Sequence, residues 1–262
     1  LEASQAISYT RFESGYWQSA AGPVVAEALV RLHINGHELA TLMCSPYELE
    51  VLVLGFLASE GIIAGRDDVR LIKACPSQTC VDVWLRDAAW ELPSRRTITS
   101  GCGGGITFTD LTAGIEPLTD NMRVTTGQLG RLMAALQGTQ QTRGMHTAAL
   151  AEGESLLVIT EDVGRHNTID RIRGRCLLQG LPTEGRILLT TGRLSSEMLN
   201  KAAHMRVPVV ASRTSPTSLS VALAEAWNIT LVGYVRRGSL NVYSGRARIA
   251  DEYEERGTDA YS

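Results

Sequence analysis

The chain has 262 residues, 44% of them hydrophobic, and a net charge of −3. It is long enough to bury one large core or two modest ones. Its apolar stretches are all interrupted, the richest being 51–59, so no segment is long enough for a helical membrane span, and no charged leader with an apolar stretch precedes Val24. Five cysteines, Cys44, Cys75, Cys80, Cys102 and Cys176, are odd in number and irregularly spaced, which argues against a disulfide scaffold and fits a reducing compartment.

The charge is unevenly spread. Residues 142–249 carry 14 Lys+Arg against 8 Asp+Glu, a local +6, and every one of those cations except Lys201 is an arginine. The guanidinium fork suits bidentate phosphate or carboxylate binding better than a lysine point charge. A nucleic-acid surface is disfavoured, because no aromatic-interleaved basic stripe occurs and the isoelectric point is about 6.0.

In chain order, the apolar–polar alternation over 24–34 predicts a strand, Asn35-Gly36 a hairpin turn, and His37–Cys44 the returning partner. Ser45, Pro46 and Glu48 predict a capped helix running to Glu60-Gly61 through a Ser-x-x-Glu box. Strands are expected at Val69–Ala74 and 80–86. Next comes Ser100-Gly101-Cys102-Gly103-Gly104-Gly105, a single cysteine among glycines. Such a loop leaves the sulfur unshielded and can turn backbone N–H groups toward an anion, so it would present a reactive thiolate.

From residue 123 the pattern becomes helices alternating with short β-branched runs, the signature of βαβ units. Leu129, Leu132, Met133 and Leu136 mark one amphipathic helix, and Ile169, Ile172, Cys176 and Leu177 another. Strands are predicted at 146–151, 156–160, 187–191, 207–211 and 229–235, with helices at 196–206 and 219–227 and a frayed tail at 251–262. The fold class is therefore α/β: an N-terminal α+β subdomain over 22–122, carrying the cysteine loop, and a C-terminal α/β domain over 123–250.

This layout sets four polar segments after strands: Glu161-Asp162-Val163-Gly164-Arg165-His166-Asn167, Gly192-Arg193-Leu194-Ser195-Ser196, Ser212-Arg213-Thr214-Ser215-Pro216-Thr217 and Arg236-Arg237-Gly238-Ser239. In open α/β sheets ligands bind outside the carboxyl ends of the strands. Arg165, Arg193, Arg213, Arg236 and Arg237 should then share one basic rim with helix N-termini, a seat for a phosphate-rich ligand. His146 and His166 fall on the same rim as candidate acids, bases or phosphate partners, although no acid is evident to orient either in a Cys-His hydrolase. Cys75-Pro76-Ser77-Gln78-Thr79-Cys80 has no second ligand pair and makes a poor zinc site, while Cys44 and Cys176 sit in apolar patterns as core residues.

Ser59-Glu60-Gly61-Ile62-Ile63, Thr99-Ser100-Gly101-Cys102-Gly103-Gly104-Gly105, Arg143-Gly144-Met145-His146-Thr147-Ala148-Ala149, Glu161-Asp162-Val163-Gly164-Arg165-His166-Asn167, Thr190-Thr191-Gly192-Arg193 and Ala211-Ser212-Arg213-Thr214-Ser215-Pro216-Thr217 stand in the order found in the FdhD formate dehydrogenase accessory proteins, which the chain resembles over about residues 22–245. The resemblance implies a cytoplasmic, homodimeric sulfur carrier with no permanently bound metal. It implies persulfide sulfur taken from a cysteine desulfurase and passed to the guanine dinucleotide form of the molybdenum cofactor for formate dehydrogenase. It further implies a three-layer, cytidine-deaminase-like C-terminal domain, Cys102 as the persulfide-bearing residue, and Tyr234, Val235, Arg236, Arg237, Gly238 and Ser239 as a cofactor-binding stretch. Deaminase activity does not follow, because the zinc deaminase pattern is absent. Many relatives carry Cys-x-x-Cys in the loop, where this chain has Gly105. The alternative reading is a cofactor-binding chaperone without covalent sulfur transfer.

Overall fold

The computed structural model describes residues 4–92, 115–140 and 144–250, and the backbone of 97–98 and 106–107. The order is β1 (Ser4–Glu13), β2 (Tyr16–Val25), β3 (Ala28–Ile34), β4 (His37–Cys44), α1 (Leu49–Ser59), β5 (Val69–Ala74), β6 (Cys80–Leu85), β7 (Thr97–Ile98), β8 (Ile106–Thr107), β9 (Val124–Thr125) and α2 (Thr126–Gly138). It continues with β10 (His146–Glu152), β11 (Ser155–Asp162), α3 (Arg165–Gln179), β12 (Ile187–Thr190), α4 (Ser196–His204), β13 (Val209–Ser212), α5 (Ser218–Ala226), β14 (Thr230–Arg236), β15 (Ser239–Ser244) and β16 (Ile249–Ala250). None of the described helices is long and apolar enough to cross a membrane.

The expected 24–34 strand is two strands. β2 ends at Val25, which pairs with Ser4 in a separate hairpin, whereas Ala28 pairs with Cys44 in the N-terminal sheet. The alternation continues through both, so periodicity could not mark the break. That sheet has the order β4-β3-β6-β5. Its β3–β4 turn is the predicted one, with Asn35 (φ 49°) and Gly36 (φ 85°) both left-handed.

The predicted cap of α1 is not formed. The helix starts at Leu49, after a left-handed Glu48 (φ 41°) with no side-chain cap. Ser45 is fully buried and spent elsewhere: its N–H donates to Asp162 Oδ2 at 3.3 Å, its Oγ accepts from the Val163 N–H at 3.1 Å, and its carbonyl accepts from Arg171 Nη2 at 2.8 Å. A long-range network outbids the local box for the hydroxyl.

α1 is apolar almost all round because it lies between its own sheet and α3. The two helices cross with glycines at the contact, Gly55 on α1 and Gly174 on α3. Beside the crossing, Lys201 of α4 is buried against Asp170 of α3 (2.8 Å) and Glu60 just past α1 (3.5 Å).

The C-terminal sheet has the order β11-β10-β12-β13-β14-β15. β12, β13 and β14 run parallel, and β10 runs antiparallel to both β11 and β12. Its inner strands are buried on both faces, as a sheet covered by helices on each side requires. Ala148, Leu150, Leu188, Val210 and Leu231 pack with α3, α4 and α5 residues such as Ile169, Leu199 and Ala224. Ala149, Ala151, Leu189, Ala211 and Val232 face Leu129, Leu132, Met133 and Leu136 of α2. Cys44 and Cys176 are core residues, as expected. The Cys102 loop, Arg143 and the tail at 251–262 lie outside the described residues.

Candidate functional site: the strand-end rim

Because β12, β13 and β14 are parallel while β10 is antiparallel, the start of β10 falls on the same edge as the ends of β11, β12, β13 and β14. His146 pairs with Asp162 across β10 and β11, and Thr190 pairs with Ser212 across β12 and β13. Helices α3, α4 and α5 begin on this edge, so their N-terminal N–H groups and positive dipole ends collect there. Ser195 and Thr217 are N-caps, accepting from the Met198 and Ser220 N–H groups respectively.

Asp162 is the hub of the first segment. Its Oδ1 accepts from the Gly164 N–H at 2.8 Å and from Asn167 Nδ2 at 2.8 Å, while Oδ2 accepts from Arg171 Nε at 2.8 Å. Gly164 must be small, since a Cβ there would stand 2.8 Å from Asn167 Nδ2. Asn167 also donates to the Met43 carbonyl at 2.9 Å, and Arg171 to the Tyr47 carbonyl at 2.7 Å. The turn that presents Arg165 and His166 is therefore braced by the N-terminal part of the chain.

The 190–196 and 212–217 loops are knitted side by side. Ser212 Oγ donates to the Gly192 carbonyl at 2.6 Å, the Leu194 N–H donates to the Ser215 carbonyl at 3.1 Å, and the Thr217 N–H donates to the Leu194 carbonyl at 3.0 Å. Gly192 passes directly over two predicted site residues: a Cβ on it would lie 2.9 Å from Arg165 Cβ and 3.4 Å from His146 Nδ1. At the far end Arg236 donates to the carbonyl of Arg213, and the Tyr234 N–H donates to Thr214 O at 3.1 Å.

The rim thus brings together His146, Arg165, His166, Arg193, Arg213 and Arg236, but not on equal terms. Arg193, Arg236 and Arg237 are exposed, Arg213 is half-buried, and Arg165 is buried beneath Gly192. In the expected cofactor stretch, Val235 is wholly buried and turns its side chain into the core, while Tyr234 (φ 53°) is exposed at the strand end. Gly238 (φ 78°) makes the turn into β15, which opens at Ser239.

Both histidines are held neutral. Burial and the neighbouring Arg165 push His146 below its ordinary value; burial, Arg165, Lys201 and His146 push His166 down to about 3. His166 Nε2 nevertheless lies 3.3 Å from Glu197 Oε2 and 3.2 Å from Ser195 Oγ. Desolvation and the surrounding cations outweigh that one carboxylate. Glu197 is the acid that the sequence reading did not find; its one signal was its place in the first turn of α4, two residues after the Ser195 cap.

Arginines and helix N-termini are donors of the kind that suit anions, and the two neutral imidazoles add hydrogen-bonding atoms without charge. The fold and rim thus define a mixed α/β protein with arginines and helix N-termini gathered at its strand ends. The chain belongs to the FdhD/NarQ family, which it matches over residues 25–250. It is 37% identical over 250 residues to the sulfur carrier protein FdhD of Staphylococcus aureus strain MRSA252, covering 92% of this chain and 94% of that one. It is 35% identical over 254 residues to that of Staphylococcus haemolyticus strain JCSC1435, covering 94% and 96%. Its fold is similar to the crystal structure of a protein assigned as a formate dehydrogenase accessory protein from Desulfotalea psychrophila, with TM-score 0.79, 29% identity, and coverage of 95% and 100%.

Proposed function

We propose that this chain is a sulfur carrier that serves formate dehydrogenase. The observation that carries the reading is its similarity, over nine-tenths of both chains, to proteins named as sulfur carriers. The arginine rim supports the second half of the task, holding a phosphate-rich cargo.

In this reading the Cys102 thiolate attacks the outer sulfur of a persulfide on a cysteine desulfurase. A new S–S bond forms at Cys102, the donor's S–S bond breaks, and the donor cysteine leaves as thiolate. The terminal sulfane sulfur of the Cys102 persulfide then passes to the cargo, the molybdenum cofactor in its guanine dinucleotide form: the S–S bond breaks, Cys102 leaves as thiolate, the two electrons that take the sulfur to sulfide come from the reduced metal of the cargo, and formate dehydrogenase receives the product. Arg193, Arg213, Arg236 and Arg237 supply charge-assisted donors to the diphosphate of that cargo, and the exposed Tyr234, with Gly238 and Ser239 at the turn, completes the stretch that holds it. His146 and His166, uncharged, accept or donate single hydrogen bonds beneath it.

The same reading takes 22–122 and 123–250 as two functional units, the second of cytidine-deaminase-like type, working as a cytoplasmic homodimer. Transfer of labelled sulfur from a desulfurase to Cys102 tests it. A chaperone that only holds the cofactor would bind guanine nucleotide on the rim yet acquire no sulfur.

A further inference from the structure

The Cys75 and Cys80 pair plays no part in the rim. Cys75 and Cys80 follow the Ala74↔Val81 pair and close the β5–β6 hairpin. The Cys75 N–H donates to the Cys80 carbonyl at 2.9 Å, so the two residues face one another across the ladder. The Cys75 carbonyl is taken by the Gln78 N–H at 2.9 Å, in a turn where Gln78 is left-handed (φ 56°).

That turn leaves the Cys80 N–H without its usual carbonyl acceptor, and it donates instead to Cys75 Sγ at 3.0 Å. Two hydroxyls lie beside it, Ser77 Oγ at 3.2 Å and Thr79 Oγ1 at 3.8 Å from the same sulfur and 2.8 Å from each other. Hydrogen-bond donors gathered at one sulfur stabilise a thiolate. The Cys80 thiol, donating to Cys75, and after it the Ser77 hydroxyl bring Cys75 down to about 6, while Cys80, as that donor, is raised. The pair's charged neighbours, Asp82 and Arg31, act on Cys80 in opposite directions. Neither cysteine is buried. A zinc site needs further ligands, and among the described residues no third His, Cys, Asp or Glu joins the pair.

We propose that Cys75 and Cys80 form a nucleophile-and-resolver dithiol that reacts with low-molecular-weight disulfides. The Cys75 thiolate attacks one sulfur of the disulfide, forming a mixed disulfide and releasing one thiolate. Cys80 then loses its proton to water and attacks Cys75 Sγ, closing the Cys75–Cys80 bond and releasing the second thiolate. The cysteines are oxidised by two electrons and the small disulfide is reduced to two thiols. Directly opposed residues of an antiparallel pair have Cα atoms about 4.5 to 5.5 Å apart, inside the range of about 4.4 to 6.8 Å that a disulfide requires.

The probe is glutathione disulfide, and the readout is mass spectrometry of the tryptic peptide 74–86, which carries both cysteines. The wild-type peptide should lose two hydrogens, and the Cys80→Ser protein should instead trap one glutathione on Cys75. In iodoacetamide labelling at pH 6, Cys75 should react about tenfold faster than Cys80, the gain in thiolate fraction exceeding the loss in intrinsic nucleophilicity. The Ser77→Ala/Thr79→Ala protein should move the Cys75 labelling profile to higher pH. The proposal is overturned if the wild-type peptide accumulates only mixed disulfide or none, or if Cys75 and Cys80 label with the same pH profile. Cys102 lies on a different peptide, so neither result depends on sulfur transfer there.

Discussion

Gly55 and Gly174 meet where α1 crosses α3, and each leaves its neighbour's backbone no room to retreat: a Cβ on Gly55 would lie 1.7 Å from the Asp170 carbonyl oxygen, and one on Gly174 would lie 2.0 Å from that of Val51. This crossing brings Glu60 to Lys201, and the chain just before α1 meets Asp162 and Arg171. The N-terminal unit therefore braces the turn that carries Arg165 and His166.

Gly174→Ala tests the crossing. In an exposed helix this change would stabilise by about 1 kcal/mol. Here the overlap is with backbone, so the helices must separate, and a net loss of about 3 kcal/mol is expected in urea unfolding. A variant as stable as wild type would show that the crossing tolerates a methyl group.

His166 sets an acid dependence. Its folded value, about 3, lies below its unfolded value of 6.5, so on acidification the unfolded chain takes up the proton first. The stability contributed is complete above pH 6.5 and is lost as pH falls toward 3, by up to about 3 kcal/mol between pH 6.5 and 4. His166→Asn should flatten that limb in urea titrations at successive pH values. An unchanged difference between pH 7 and pH 4 would mean that His166 charges as freely in the folded protein as in the unfolded one.

The rim should bind guanosine diphosphate. Arg213→Ala or Arg236→Ala removes a charge-assisted donor, costing about 1.5 to 3 kcal/mol, or roughly tenfold or more in affinity by calorimetry. Equal affinities for wild type and both variants would remove these arginines from the site.

Much of this architecture is legible in the chain itself. The β-branched runs of the C-terminal sheet and the apolar stripe of α2 lie close to their predicted places, because period and helix length there agree with the tertiary environment. The basic rim is legible for the same reason: strand ends in an α/β layout fix where intervening polar segments go. What escaped was non-local. The β1–β2 hairpin packs its residues mostly against solvent, so burial gave its alternation no reason to be read. Ser45 looked like a cap because its competitors, Asp162 and Arg171, are more than a hundred residues away. Nothing in the sequence marks Glu197 and Lys201 as interior charges, yet both are buried, Lys201 in a network with Asp170 and Glu60 that only the packing of α1, α3 and α4 creates.

The most direct test of the account is mass spectrometry of the intact chain and its peptides after incubation with a cysteine desulfurase and cysteine. The account predicts one additional sulfur on the Cys102 peptide, removable by reductant. It predicts that the Cys102→Ala protein neither gains that sulfur nor activates formate dehydrogenase. Sulfur absent from Cys102, or full activation by the alanine variant, would contradict it.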